Sequence, residues 1–167
     1  MFSGIVETVG ILRQISHSEN GAEAQIDTGS VDLGDAEIGD SLAVSGICLT
    51  VTEIEADAVK VFVSNETLSC TVFGSYREGT RLNLERPLRM NQGLGGHFVS
   101  GHVDGIGRCV QSARDGASLR LEVKVPQRLG RFIATKGSIA LDGVSLTINS
   151  AIDDAESTIF SLSLIHI

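Results

Sequence analysis

Two histidines, His97 and His102, stand five residues apart in Gly95-Gly96-His97-Phe98-Val99-Ser100-Gly101-His102. Imidazole is the side chain best suited to moving protons near neutral pH, so either ring is a candidate general acid or base. The competing reading for each is a hydrogen-bonded structural histidine or a surface one. On a strand this spacing puts the two rings on opposite faces, and no third ligand stands nearby, so the pair does not read as a metal site. Cys48, Cys70 and Cys109 also lack metal-ligand spacing, and a free thiol such as Cys48 is ordinarily a small buried apolar group. The chain shows no Ser-His-Asp ordering, no phosphate loop and no dinucleotide fingerprint. Gly93-Leu94-Gly95-Gly96 reads as a loop hinge, since glycine alone is weak evidence for phosphate binding.

The elements that must position these groups are short strands. Glycine is abundant at 19 residues, proline scarce at two, and the apolar residues alternate over short stretches, which together predict an all-β fold with glycine turns. In Ser118 to Val125, Leu119, Leu121, Val123 and Val125 share one face while Arg120, Glu122 and Lys124 share the other, the period of two that a half-buried strand needs. Ala58 to Val63 alternates in the same way. Ser64-Asn65-Glu66-Thr67-Leu68 breaks the alternation and predicts one helical turn capped by Ser64 or Asn65.

The chain has 167 residues, 13 Lys plus Arg against 21 Asp plus Glu, and a net charge of −8. That length holds one large core or two small ones. The acidic balance argues against nucleic acid, whose affinity for proteins is built mainly from Lys and Arg on phosphates. A modest basic cluster from Lys124 to Lys136 reads as a solvated face. No apolar run approaches the roughly 20 residues that span a bilayer. The start, Met1-Phe2-Ser3-Gly4-Ile5, carries no secretory pattern, and the odd cysteine count cannot close as a disulfide framework. A reducing, cytoplasmic setting is expected.

An internal repeat divides the chain. Ser3 to Gly10 lies over Ser100 to Gly107 at an offset of 97, and Ser41 to Val51 lies over Ser138 to Ile148 at the same offset. Two separated blocks at one shared offset predict two copies of one domain, residues 1–87 and 88–167, with the boundary near Arg86-Pro87-Leu88-Arg89. About 97 residues suit a small closed barrel of six or so strands. Each copy is expected to begin with a long strand (Ile5 to Ile15; Val103 to Gln111) and to turn a hairpin at Gly46 or Gly143, where a positive φ is often required. Matched positions that differ are where functional asymmetry would lie: Phe2 and Val99, Ile5 and His102, Ser45 and Asp142, Cys48 and Ser145.

Met1 to Glu7, Gly46 to Val51, Gly95 to Gly105 and Lys136 to Thr147 closely resemble the riboflavin synthase alpha-chain family, and the match covers nearly the whole chain. The resemblance implies two tandem six-stranded Greek-key barrels. It also implies dismutation of two molecules of 6,7-dimethyl-8-ribityllumazine, one giving a four-carbon unit to the other, with no cofactor or metal. Carried over by position, it implies one pocket from Gly4, Ile5, Val6, Cys48, Leu49, Thr50 and the segment Phe62, Val63, Ser64, Asn65, Glu66 and Thr67. A second follows from Gly101, His102, Val103, Lys136, Ser145, Leu146 and Thr147. The implied roles are His102 in proton transfer, Cys48 and Ser145 beside the reacting carbons or a bound nucleophile, and Phe2 in stacking. Asp142 is expected to orient its hairpin or fix a water. The resemblance further implies a homotrimer whose productive site pairs the N-terminal barrel of one subunit with the C-terminal barrel of another. Competing readings are a non-catalytic lumazine or flavin carrier and a barrel interaction module.

The resemblance departs at the C-terminus. Family members continue through further elements of the second barrel and a helix used in trimer contacts, whereas here Leu164-Ile165-His166-Ile167 replaces the usual Leu-Ile-Pro-(His or Glu)-Thr run. Residues 162–167 also read as the translation of a transposase-end sequencing adapter. The expectation is a read-through scar, an incomplete second barrel with an unpaired edge, and weakened assembly and turnover.

Overall fold

The computed structural model describes residues 1–31 and 33–165. His166 and Ile167, the end of the run expected to be a scar, lie outside the described residues, as does Asp32. Twelve strands and a few short helical turns among the described residues make the fold all-β, and no helix among them is long and apolar enough to cross a membrane. The chain divides into two compact units, one of Met1–Val103 with Ala140–Ser145, the other of Asp104–Ile139 with Leu146–Ile167.

In the first unit β1 (Thr8–Ser18), β2 (Gly21–Asp27), β3 (Ser41–Val44), β4 (Ile47–Ile54), β5 (Ala58–Ser64) and β6 (Arg81–Glu85) close a barrel in the order β1-β2-β5-β4-β3-β6. This is the closed six-stranded barrel that the repeat length predicts, with the Greek-key order that the resemblance implies, and it leaves no free edge. The alternation of β5 becomes burial directly: Val59, Val61 and Val63 are fully enclosed in the barrel, while Phe62 is 43% exposed outside it. Phe73 closes the core and packs its ring against Tyr76 at 5.3 Å. The first strand begins at Thr8, later than the expected Ile5, because Gly4 at φ +76° breaks the extended run and residues 2–4 hydrogen-bond elsewhere.

After β5 the predicted turn forms as α1 (Asn65–Cys70), and Ser64 is its cap, its Oγ accepting from Thr67 N at 3.1 Å. One of the four N–H groups that a helix start leaves without a partner is thereby satisfied. Ser64→Ala is expected to lower stability by about 1 kcal/mol, read as a shifted urea midpoint, while Ser64→Asp, which keeps an acceptor, should remain near the parent. Equal losses for both would remove the capping role.

In the second unit β7 (Arg108–Asp115), β8 (Ser118–Pro126), β11 (Ser150–Asp153) and β12 (Ser157–Ile165) form a sheet in the order β11-β12-β8-β7. The strands β9 (Ser138–Leu141) and β10 (Val144–Thr147) pair with each other. The repeat is visible in detail. The bulge of β1 between Leu12 and Gln14 recurs in β7 between Cys109 and Gln111, at the same offset. β7 begins at Arg108, later than the expected Val103. No strand among the described residues takes the place that β6 has in the first copy, and every residue of β7 is exposed. The copies also part at their ends. Where the first copy turns into α1 at Asn65, the second keeps the strand alternation, so Leu162 is buried in β12 opposite Leu121 and Leu164 pairs with Leu119.

Candidate functional site

The two hairpins of the repeat bring their tips together in the first unit. Val44-Ser45-Gly46-Ile47 and Leu141-Asp142-Gly143-Val144 are two-residue turns with positive φ at both central positions, 48° and 79° in one, 47° and 81° in the other. That is the primed turn whose twist matches antiparallel strands. A side chain on Gly46 would place its Cβ 2.5 Å from Gly143 N, and one on Gly143 would reach 2.7 Å from Gly46 N. The tips therefore meet backbone to backbone. Asn83 on the outer face of β6 fastens both: its backbone exchanges bonds with Ser45, and its Nδ2 donates to Asp142 O at 2.9 Å.

The surroundings of the tips are electrostatically tuned. Partial desolvation raises the pKa of the Asp142 carboxyl even though the residue stays solvent-exposed. Burial also raises that of Tyr76, with Ser45 opposing the shift and the Asp142 charge adding to it. An acid whose pKa is raised on folding adds stability below its unfolded value of about 4 and loses it as pH rises through the folded value. Asp142→Asn is therefore expected to stabilise the protein at pH 7 by about a few tenths of a kcal/mol, discounted for solvent screening. Asparagine also tolerates the positive φ. Urea midpoints at pH 7 and near pH 4 check the sign: the gain should shrink toward the lower pH, and a constant offset would sink the electrostatic cause.

The start of each copy lies on the hairpin of the other. Gly4 O accepts from Ser145 N at 2.7 Å, Gly101 O accepts from Cys48 N at 2.9 Å, and Phe2 and Val99 exchange two backbone bonds at 2.8 and 3.0 Å. At the offset of 97 the first two contacts map onto each other and the third onto itself. Both glycines are needed, since Gly4 and Gly101 have φ of 76° and 82° and lie flat on the Cβ atoms of Ser145 and Cys48. The resemblance grouped Gly4, Ile5 and Val6 with Cys48, and Gly101, His102 and Val103 with Ser145. The structure crosses them over, pairing Gly4 with Ser145 and Gly101 with Cys48. Phe2, expected to stack on a ligand, is 0% exposed. It lies beneath Gly101 in a small core with Ala43 and Val99 against Cys48, so it supports the site from below.

Around Cys48 the barrel wall opens. The β4–β5 ladder reaches only to Thr50 opposite Phe62, and beyond it β5 continues into Ser64 and α1. Strand alternation places Cys48 and Thr50 on β4 and Phe62 and Ser64 on β5 outside the barrel. Leu49 and Val63 face the core at 4% and 0% exposure, so these two can offer a ligand only backbone groups. Thr67 Oγ1 bonds Ser64 Oγ at 3.0 Å; Asn65 and Glu66 are exposed, Asn65 binding Glu19 O and Glu66 the Cys70 thiol.

Around Ser145 the chemistry differs. His97 Nδ1 lies 2.7 Å from Ser145 Oγ, and His97 N donates to Ser3 O at 3.0 Å. Ser145 occupies the place that Cys48 has in the other copy, so the equivalent positions carry a thiol in one and a histidine-bonded hydroxyl in the other. His102 and its counterpart Ile5 are both exposed, and His102 N donates to Ser100 Oγ at 3.1 Å. Val103 is 38% exposed and Val6 half-buried. Lys136, Leu146 and Thr147 belong to the second unit, where Lys136 N donates to Ile148 O at 2.8 Å. Lys136 has φ 68° where the first copy has Gly39 at 99°. A lysine in that region costs roughly 1–2 kcal/mol relative to glycine, and such retained strain is common at functional positions.

One residue escaped the sequence reading altogether. Glu85 is only 5% exposed, and its carboxylate accepts from Ser3 N at 2.7 Å, Ser3 Oγ at 2.6 Å and Gly4 N at 3.0 Å. Alternation along β6 places Asn83 and Glu85 outside the barrel, opposite buried Leu82 and Leu84. Nothing in a strand pattern signals that an outward carboxylate will be covered by the chain's own start.

A Greek-key barrel followed by a second copy of its strands, with the copies' starts crossed onto each other's hairpins, defines a duplicated β-barrel binding protein. Residues 3–87 and 100–166 match the family model of the lumazine binding domain. The chain is 40% identical over 150 residues to riboflavin synthase of Photobacterium leiognathi, covering 90% of this chain and 69% of that protein. It is 37% identical over 154 residues to riboflavin synthase of Bacillus subtilis (strain 168), covering 92% and 71%. Among solved structures it is similar to LumP complexed with 6,7-dimethyl-8-(1'-D-ribityl) lumazine, with a TM-score of 0.85, 25% identity and coverage of 99% of this chain and 87% of that one. LumP complexed with flavin mononucleotide gives 0.84 and 26%, with coverage of 99% and 86%. The chain belongs to the riboflavin synthase family of lumazine-binding proteins.

Proposed function

We propose that this chain is a riboflavin synthase, converting two molecules of 6,7-dimethyl-8-ribityllumazine into riboflavin and 5-amino-6-(D-ribitylamino)uracil. The observation that carries the reading is the doubled site with unequal chemistry: Gly101 on Cys48, and Gly4 on Ser145 with His97 bonded to the hydroxyl. Two identical substrates call for two similar places, and a donor and an acceptor call for a difference between them. Every atom of the two substrates reappears in the two products, so the reaction consumes no oxidant or reductant. It needs proton transfers, a transient nucleophile and close positioning, which turns an encounter of two molecules into an effectively unimolecular step.

The first step is loss of a proton from the 7-methyl group, which is acidic because its carbanion delocalises into the ring, so a histidine is an adequate base. His102 is our candidate for this proton, and the His97–Ser145 pair for activating or holding the nucleophile. Cys48 would be the polar neighbour on the other side. Cys48, Thr50, Phe62, Ser64 and Thr67 would receive one ring and its ribityl chain, while Lys136, Leu146 and Thr147 are substrate-binding residues by the family resemblance. We read residues 1–87 and 88–167 as the two lumazine-binding copies, the active assembly as a homotrimer and the setting as cytoplasmic, in keeping with the family resemblance.

The second reading, a lumazine or flavin carrier, draws on the likeness to LumP. Retention of distinct polar groups at both Cys48 and Ser145 favours the enzyme, because a carrier needs only one competent pocket. Incubating the purified chain with the lumazine separates the readings. Riboflavin fluorescence that grows with time means synthase, binding without product means carrier, and neither would remove both.

A further inference from the structure

Glu85 is a buried carboxylate to which the proposed chemistry assigns no part. Three donors converge on it. Oε1 accepts from both Ser3 N and Ser3 Oγ, and Oε2 accepts from Gly4 N. The carboxylate thus fixes two successive peptide units at the start of the chain, and the carbonyl oxygens of these same two residues hold the site: Ser3 O accepts from His97 N and Gly4 O from Ser145 N. His97 and Ser145 are also the two residues joined side chain to side chain at 2.7 Å. From the outer face of β6, one charge sets both backbone anchors of that pair.

The other start gives an internal comparison. Ser100 and Gly101 occupy the places of Ser3 and Gly4, and Gly101 O anchors Cys48 N as Gly4 O anchors Ser145 N. Ser100 Oγ accepts from His102 N as Ser3 Oγ accepts from Ile5 N. Yet among the described residues no carboxylate binds Ser100 or Gly101, and Ser100 is exposed where Ser3 is buried. The Glu85 carboxylate binds the start that lies on the Ser145 side.

We propose that Glu85 is a positioning residue for the His97–Ser145 pair, acting through Ser3 and Gly4 and touching no substrate. This rests on the riboflavin synthase reading for its kinetic consequence only. A charged acceptor is required because all three groups facing it are donors. Glutamine would turn an NH₂ donor toward Gly4 N–H or toward Ser3, leaving buried groups unmatched whichever way its amide lies.

The test is Glu85→Gln in the full chain, labelled with ¹⁵N, compared with the parent by amide spectra and by turnover of 6,7-dimethyl-8-ribityllumazine. The Ser145 and His97 amides should shift while the Cys48 amide stays in place, and kcat should fall by about tenfold or more, the scale expected of displaced catalytic groups. A purely structural role would loosen both sides, so a Cys48 amide that moves as far as that of Ser145 overturns the proposal. A kcat within twofold of the parent overturns it as well. Should Glu85→Gln not fold, Glu85→Asp, which keeps both oxygens but withdraws them by one methylene, replaces it in both measurements, and the same two results overturn the proposal. A parent chain that forms no riboflavin would refute the synthase reading instead, and the amide comparison would then decide the role of Glu85 by itself.

Discussion

Riboflavin formation by a Ser145→Ala variant is expected to fall by about 100-fold, the low end of what a positioned acid–base group contributes. His97→Gln should lose a similar factor. The reason is the 2.7 Å contact between His97 Nδ1 and Ser145 Oγ, which makes each side chain the other's polar partner. Groups that act as a unit are strongly non-additive. The double variant should therefore be slowed by about the same 100-fold as either single one, whereas independent groups would multiply to about 10⁴. Steady-state kinetics on the four proteins measure this directly. Full multiplication would dissolve the pair, and single losses below threefold would remove both residues from the chemistry.

The largest expected effect on stability is at the meeting of the hairpin tips. Gly46→Ala should cost about 3 kcal/mol or more, from two sources that a control can separate. Positive φ alone penalises a side chain by roughly 1–2 kcal/mol. The remainder comes from a Cβ placed 2.5 Å from Gly143 N, a contact with backbone that no rotamer change can relieve. Gly79 has a similar φ of 85° with nothing within 4 Å of its would-be Cβ, so Gly79→Ala should show the conformational part only. Urea unfolding of both variants decides the matter. If Gly46→Ala costs no more than Gly79→Ala, the close approach of the two tips has no energetic weight.

Much of the fold was legible because the repeat multiplies weak signals. A single Ser-x-Ala-x-x-Gly hairpin is an ordinary pattern, but its recurrence at one offset predicted both turns, and the cap at Ser64 followed from local chemistry alone. Even the bulge after Leu12 has its twin after Cys109. Strand starts were less legible: the pattern predicts a start at Ile5, but the bonding partners of residues 2–4 lie some 80 or more positions away, beyond any local pattern. The site divides in the same way. Cys48 and Ser145 stood out as unequal residues at matched positions. The partnership of Ser145 with His97 did not, because the two are 48 positions apart. The stacking role of Phe2 came from the family resemblance alone. Its burial comes from Val99 and Gly101, which no property of the first seven residues announces.

The backbone bonds between Phe2 and Val99 are an antiparallel bridge between equivalent positions of the two copies. A residue that pairs with its own equivalent marks a two-fold axis, the hallmark of an isologous contact, in which one patch is complementary to itself. Two separate chains of a single copy could make the same contact, but as identical subunits they would place the same side chain on both sides of the axis. Joining the copies in one polypeptide keeps the symmetric backbone and frees the genetic code to write each side separately. Cysteine at one place and serine at its mirror become possible only then. The crossed strand starts thus preserve a symmetric frame, within which covalent linkage lets a reaction between two identical molecules be treated unequally.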